Sequence, residues 1–179
     1  IFTVTSNNLL PFEKEIYGRL PKQIPAVNWQ VVRTIDTIIG SQPAIFKNLL
    51  GHVDNSSYPQ VTVDIQLTLA TPKKTAGPVP VILEFGFNFP AGFLPAAATG
   101  TASTSKSWQE QVLERGYGFA MIVPTSYQAD HGAGLTAGII GLVNKGQRRK
   151  PDDWGTLRAW AWGASRAIDY FEKDPSVDP

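Results

Sequence analysis

From Gln60 to Ala70 the chain alternates: Val61, Val63, Ile65, Leu67 and Leu69 fall on one side, Thr62, Asp64, Gln66 and Thr68 on the other. A period of two predicts a strand with one buried and one wetted face, as in antiparallel sheets. Asn28–Thr37 is also β-rich, through Val31, Val32 and Ile35. Two later runs, Val79–Phe85 and Tyr117–Val123, are almost continuously apolar. That pattern predicts interior strands covered on both faces. Between them, SWQEQVLERG places Ser107 and Glu110 at capping-box spacing and Gly116 where a helix stops. Strand, helix and strand in this order predict a right-handed parallel crossover.

Two further helices follow from a period near 3.6. In PFEKEIYGRLPKQIP, residues 11–25, Phe12, Ile16 and Leu20 recur at helical spacing, and Gly18 and the prolines limit the helix to two or three turns. From Asp152 or Asp153 to about Lys173, Leu157, Trp160, Ala161, Ala164, Ile168 and Phe171 form an apolar stripe. Gly163, Ala164 and Ala167 permit close approach. A crossover helix is normally followed by another parallel strand, and the chain reaches Asp174-Pro175 and Asp178-Pro179 without one. No internal repeat is visible, and the Ala/Thr/Ser-rich stretch 96–105 reads as a loop.

Composition narrows the possibilities. The chain has 179 residues, 42% hydrophobic and 17% charged, which suits one domain with a real core. Sixteen basic and fifteen acidic side chains leave a formal charge of +1. No global field therefore favours nucleic acid or an anionic membrane, and no apolar run approaches the roughly 20 residues of a spanning helix. No cysteine is present, which excludes disulfides, thiolate nucleophiles and Cys-ligated zinc. The start IFTVTS, without Met, fits a processed or trimmed chain, in which any export signal would already be gone.

Several motifs carry chemistry on paper. GASRA, Gly163–Ala167, approximates the serine-hydrolase G-x-S-x-G, but that motif needs a strained strand-to-helix turn and Ser165 falls within a predicted helix. GAGLTAG, Gly132–Gly138, approximates a dinucleotide fingerprint without the strand that must precede it. KGQRRK, Lys145–Lys150, could grip phosphate or an acidic sugar and reads first as a solvated loop. Asp130-His131 has no second metal ligand on a common element, and Asp152-Asp153 fits helix capping. Phe87, Asn88 and Phe89 leave the carboxyl end of a predicted buried strand, where open α/β sheets place ligands. They are the candidate substrate-binding residues.

The segments PDDWGTLRAWAWGASRAIDYFEKDPSVDP, GIIGLVNKGQRRK, FEKEIYGRLP and VPVILEFGFNF together resemble the glucuronoyl esterases, especially their bacterial branch. The resemblance implies the N-terminal half of an α/β-hydrolase fold, with antiparallel first strands leading into a parallel sheet flanked by helices. It places residues 1–179 within a single domain, just before the central strand and a G-x-S-R-x-G-K nucleophile elbow. It further implies a serine esterase cleaving glucuronic acid esters between xylan and lignin by a Ser-His-acid mechanism, with an acetyl xylan esterase or another hydrolase as the alternative. No catalytic residue is assigned within the chain, and no cofactor or metal is expected. The expected partners are a glucuronoxylan or lignin–carbohydrate ester and the remainder of the same polypeptide completing the sheet, with neither nucleic acid nor membrane. The expected location is secreted or periplasmic. A reading from another class is a carbohydrate-binding module stacking sugars on its five Trp and five Tyr, against which the parallel crossover argues.

Overall fold

The computed structural model describes residues 11–87 and 106–178. The chain divides into two compact units. One comprises Ile1–Trp29, Gly51–Ile65 and Pro124–Arg166, the other Gln30–Leu50, Gln66–Val123 and Ala167–Pro179.

The second unit is built on a five-stranded sheet of β1 (Val27–Ile39), β2 (Gln42–Val53), β3 (Asp64–Pro72), β4 (Val81–Phe85) and β5 (Gly118–Val123), in the order β1-β2-β3-β5-β4. β3 runs antiparallel to β5, with Leu67 opposite Ile122. β4 runs parallel to β5, with Val81 opposite Gly118. The fold is therefore α/β with a mixed sheet, as the patterning predicts. Along β3 the alternation holds: Ile65, Leu67 and Leu69 are buried and Gln66 is exposed.

β2 has no counterpart in the sequence reading. Pro43, Lys47, Asn48 and Gly51 break its alternation, and only burial of Ala44, Leu49 and Val53 by tertiary contacts makes it a strand. β5 is largely buried, as its apolar run predicts. β4 departs from that expectation. Among the described residues it has a strand partner on one side only, and Ile82 and Phe85 are 49% and 41% exposed.

Helix α1 (Trp108–Glu114) connects β4 to β5. The Ser107 hydroxyl caps it by accepting the Glu110 amide at 3.1 Å, and Gly116 ends it at φ 81. The reciprocal half of the expected capping box is absent. The Glu110 carboxylate instead accepts the Ser41 amide and hydroxyl, at 3.0 and 2.9 Å, fastening the β1–β2 turn. Trp108 meets Phe119 edge-on, with centroids 5.4 Å apart, beside a core of Ala44, Ala70 and Leu113.

In the first unit the predicted N-terminal helix shortens to a π-helical segment, Glu13–Tyr17. Gly18 turns out of it at φ 75, and Arg19 then exchanges backbone bonds with Asp152 (2.8 Å) and Trp154 (3.1 Å). A longer helix would forfeit that bridge. Helix α2 spans Gly138–Val143 and helix α3 Thr156–Phe171. Within this unit α3 buries Ala159, Trp162 and Gly163, while Leu157 and Ala161 are exposed. The buried stripe is thus displaced from the predicted one because small residues set it: an added Cβ at Gly163 would collide with the Tyr127 ring. Trp162 also lies edge-on to Tyr127 and Trp154, both buried.

Gln128, fully buried, knits the polar backbone of this unit. Its amide donates to the Gly134 carbonyl at 2.9 Å and its Oε1 accepts the Ile140 amide at 3.1 Å, while its own carbonyl accepts Trp160 Nε1 at 2.8 Å. Each bond satisfies a group that water cannot reach. Gln128→Leu removes the side-chain partners of both Gly134 and Ile140 and is expected to destabilise the protein by about 2–4 kcal/mol, read as a lowered urea midpoint with unchanged m-value.

Candidate active-site edge of the sheet

Ligands of open α/β sheets gather beyond the carboxyl ends of the parallel strands. In the second unit these ends belong to β4 and β5. The chain leaves β4 through Gly86, whose amide donates to the Ile122 carbonyl at 2.8 Å, prolonging the parallel ladder by one bond. An added Cβ at Gly86 would press on the Met121 methyl. Phe87 follows, 41% exposed. Asn88 and Phe89 lie outside the described residues, so of the three candidate substrate-binding residues the structure places only Phe87, at this edge.

At the opposite, entering end of β4 lies a polar cluster that the sequence reading missed. Asp174, in the turn after α3, has a side chain only 1% exposed. Its carboxylate accepts Lys47 Nζ at 2.9 and 2.6 Å, the Tyr170 hydroxyl at 2.6 Å, and the Ser176 hydroxyl and amide at 2.6 and 3.0 Å. Burial opposes the charged form. The hydrogen bonds from Lys47, Ser176 and Tyr170 outweigh it and hold the Asp174 pKa down at about 2. The same burial, with the Asp174 hydrogen bond, pushes the Tyr170 hydroxyl up.

The consequence for the backbone is direct. With Ser176 fixed, the Val79 amide donates to the Ser176 carbonyl at 3.1 Å and the Asp178 amide to the Val79 carbonyl at 2.9 Å, a parallel bridge between Val79 and Val177. Asp-Pro reads in sequence as a turn signal. Asp-Pro-Ser was the legible part of the cluster, since Asp174 closes an Asx turn on Ser176. Lys47, 127 residues away, was not.

The other sequence candidates resolve into structural roles. Ser165 sits in α3 and its hydroxyl donates back to the Ala161 carbonyl at 3.1 Å, so it is no elbow nucleophile. Gly132–Thr136 forms a 3-10 turn capped by His131, whose Nδ1 accepts the Gly134 amide at 3.2 Å. Asp152-Asp153 does not cap α3 as expected. Asp153 Oδ2 accepts the Lys150 amide at 2.7 Å and Asp152 lies 3.6 Å from Arg19, because the Arg19 bridge holds this stretch extended ahead of the helix. In the first unit His52 Nδ1 lies 2.7 Å from Asp64 Oδ1, a pairing the sequence did not disclose. Both are substantially exposed, which makes the pair a weak surface contact. Among the described residues no group of three or more His, Cys, Asp or Glu could hold a metal, and no helix is long and apolar enough to cross a membrane.

No family model matches the chain. Solved structures do. A CE15 glucuronoyl esterase from Teredinibacter turnerae aligns with 95% of this chain and 42% of its own, at TM-score 0.81 and 34% identity. The resemblance is to the glucuronoyl esterases. The glucuronoyl esterase from Solibacter usitatus aligns with 95% of this chain and 48% of its own, at TM-score 0.70 and 32% identity. A curated carbohydrate esterase of an unknown prokaryotic organism is 38% identical over 74 residues, 40% of this chain and 17% of that protein. The chain thus spans less than half the length of each of these relatives.

The Asp174 cluster carries a prediction on stability. Lys47→Met leaves a buried carboxylate without its cation and is expected to destabilise by about 3 kcal/mol. Because the folded-state pKa of Asp174 is depressed, from 3.8 to about 2, its contribution is present above pH ~4 and lost as pH falls toward 2. Acid titration followed by tryptophan fluorescence checks this: Asp174→Asn should flatten the loss of stability between these two values.

Proposed function

We propose that the chain is the N-terminal part of a serine carboxylic ester hydrolase of the glucuronoyl esterase type. The observation that carries this reading is the alignment of 95% of the chain with an esterase of that type at 34% identity. In this reading the whole protein cleaves a glucuronic acid ester joining xylan to a lignin alcohol. It is bacterial and exported to the periplasm or the medium.

The free edge of β4, already engaged at Val79 by Val177, supports a further parallel strand supplied by the same polypeptide. On this proposal that strand presents the nucleophile at its carboxyl end, beside Phe87. Attack by a serine hydroxyl needs a histidine base, an orienting carboxylate and amide or guanidinium donors for the oxyanion.

The test is hydrolysis of benzyl glucuronate and of an acetylated xylo-oligosaccharide by the full-length protein. The expected outcome is a preference for the glucuronate ester of at least tenfold in kcat/KM. Alanine in place of the elbow serine should lower turnover by several orders of magnitude. Equal or greater activity on the acetyl ester would move the assignment to an acetyl esterase, and undiminished turnover by the alanine variant would exclude both.

A further inference from the structure

The first unit carries an open concavity of about 490 Å³ lined by Gly132, Ala133, Leu135, Thr136, Arg148 and Arg149. Its size falls in the range of small-molecule sites. Its charge is one-sided. Lys145, Arg148, Arg149 and Lys150 follow within six positions, and none is ion-paired among the described residues. Of the carboxylates that follow this run, Asp152 pairs with Arg19 and Asp153 accepts the Lys150 amide.

The two arginines differ usefully. Arg149 is held in place, its Nη2 donating to the carbonyls of Asp153 at 2.8 Å and Pro151 at 3.3 Å, both neutral acceptors. Its Nε is buried and has no partner. A positioned guanidinium whose bonds go only to neutral carbonyls keeps its full charge and can attract an anion. Arg148, beside it, is exposed and has no hydrogen-bond or ion-pair partner among the described residues.

We propose that this concavity is a binding subsite for the carboxylate of an acidic sugar, with Arg149 and Arg148 holding the carboxylate and Ala133, Leu135 and the Thr136 hydroxyl facing the ring. A carboxylate is chosen over phosphate because the Gly134 amide of the 3-10 turn is committed to His131 and adds no donor for the further oxygens of a phosphate. Alanine and leucine suit the C–H face of a sugar. The sugar class deepens the esterase reading and rests on it. A free carboxylate, rather than an ester, supplies the charge that the guanidinium groups require.

The experiment follows the Arg Nε–Hε resonances of the full-length protein by NMR while sodium glucuronate, glucose or inorganic phosphate is added, with benzyl glucuronate turnover measured on the same sample. The expected result is a saturable shift of the Arg149 resonance with glucuronate, none with glucose, and affinity for phosphate at least fivefold weaker. Arg148→Ala should weaken glucuronate at least fivefold. An unmoved Arg149 resonance, an equal response to phosphate, or an unaffected Arg148→Ala variant overturns the subsite. Binding without turnover by the wild type overturns the esterase reading and still supports the subsite.

Discussion

The second unit depends on one buried carboxylate. Asp174 accepts five hydrogen bonds from Lys47, Tyr170 and Ser176, and an anion so placed has no alternative geometry of similar energy. Water cannot replace a missing donor at a side chain that is 1% exposed. The last turn of α3, the strand β2 that carries Lys47 and the backbone at Ser176 are therefore held together. The Val79–Val177 bridge is a result of that arrangement rather than a cause of it, since a single isolated bridge has little strength of its own.

The first unit solves the same problem with neutral groups. Gln128 satisfies backbone groups of Gly134 and Ile140 through its side chain and the Trp160 indole N–H through its carbonyl, so the stretch from Pro124 to α2, which holds only short 3-10 turns, is fastened without a longer helix or a strand. Aromatic rings fill the space around it, and the absence of a side chain at Gly163 lets α3 approach the Tyr127 ring. The Tyr127 hydroxyl then reaches the Trp160 carbonyl at 2.8 Å. Its burial pushes its pKa up, which favours the protonated hydroxyl that donates this bond.

What could be read from the sequence was what local pattern encodes. The period-two alternation of β3, the buried run of β5, the Ser107 cap and the helical setting of Ser165 each depend on neighbours within about four positions, and each appears in the structure as expected. β2 was not legible because its apolar positions are interrupted by Lys47 and Asn48, and Lys47 stands there for a partner found 127 residues away. The burial stripe of α3 was misplaced for a related cause. Large apolar residues announce a face, whereas the buried face at Ala159, Gly163 and Ala167 is defined by how small it is. Of the candidate ligand-contacting residues, Phe87 could be located from the end of an apolar run, and the arginine-lined concavity could not, because its two walls are 12 or more positions apart in the chain.

Why an ion pair should occupy the place held by Lys47 and Asp174 follows from what each kind of contact specifies. Apolar side chains of similar volume would hold β2 to the turn after α3 as strongly, because desolvating two charges offsets most of their attraction. They would not specify register. A hydrophobic contact tolerates a slide of one residue, and in a strand one residue inverts every side chain from one face to the other. Val177 is buried, with Ser176 before it and Asp178 after it bonded to Val79. A slip would expose the valine and turn a charged neighbour inward. The carboxylate forbids it: only one position of Ser176 delivers both its amide and its hydroxyl to the same oxygen of Asp174. An interaction that adds little net stability against an apolar substitute thus fixes where the backbone of Val177 meets Val79, just ahead of β4.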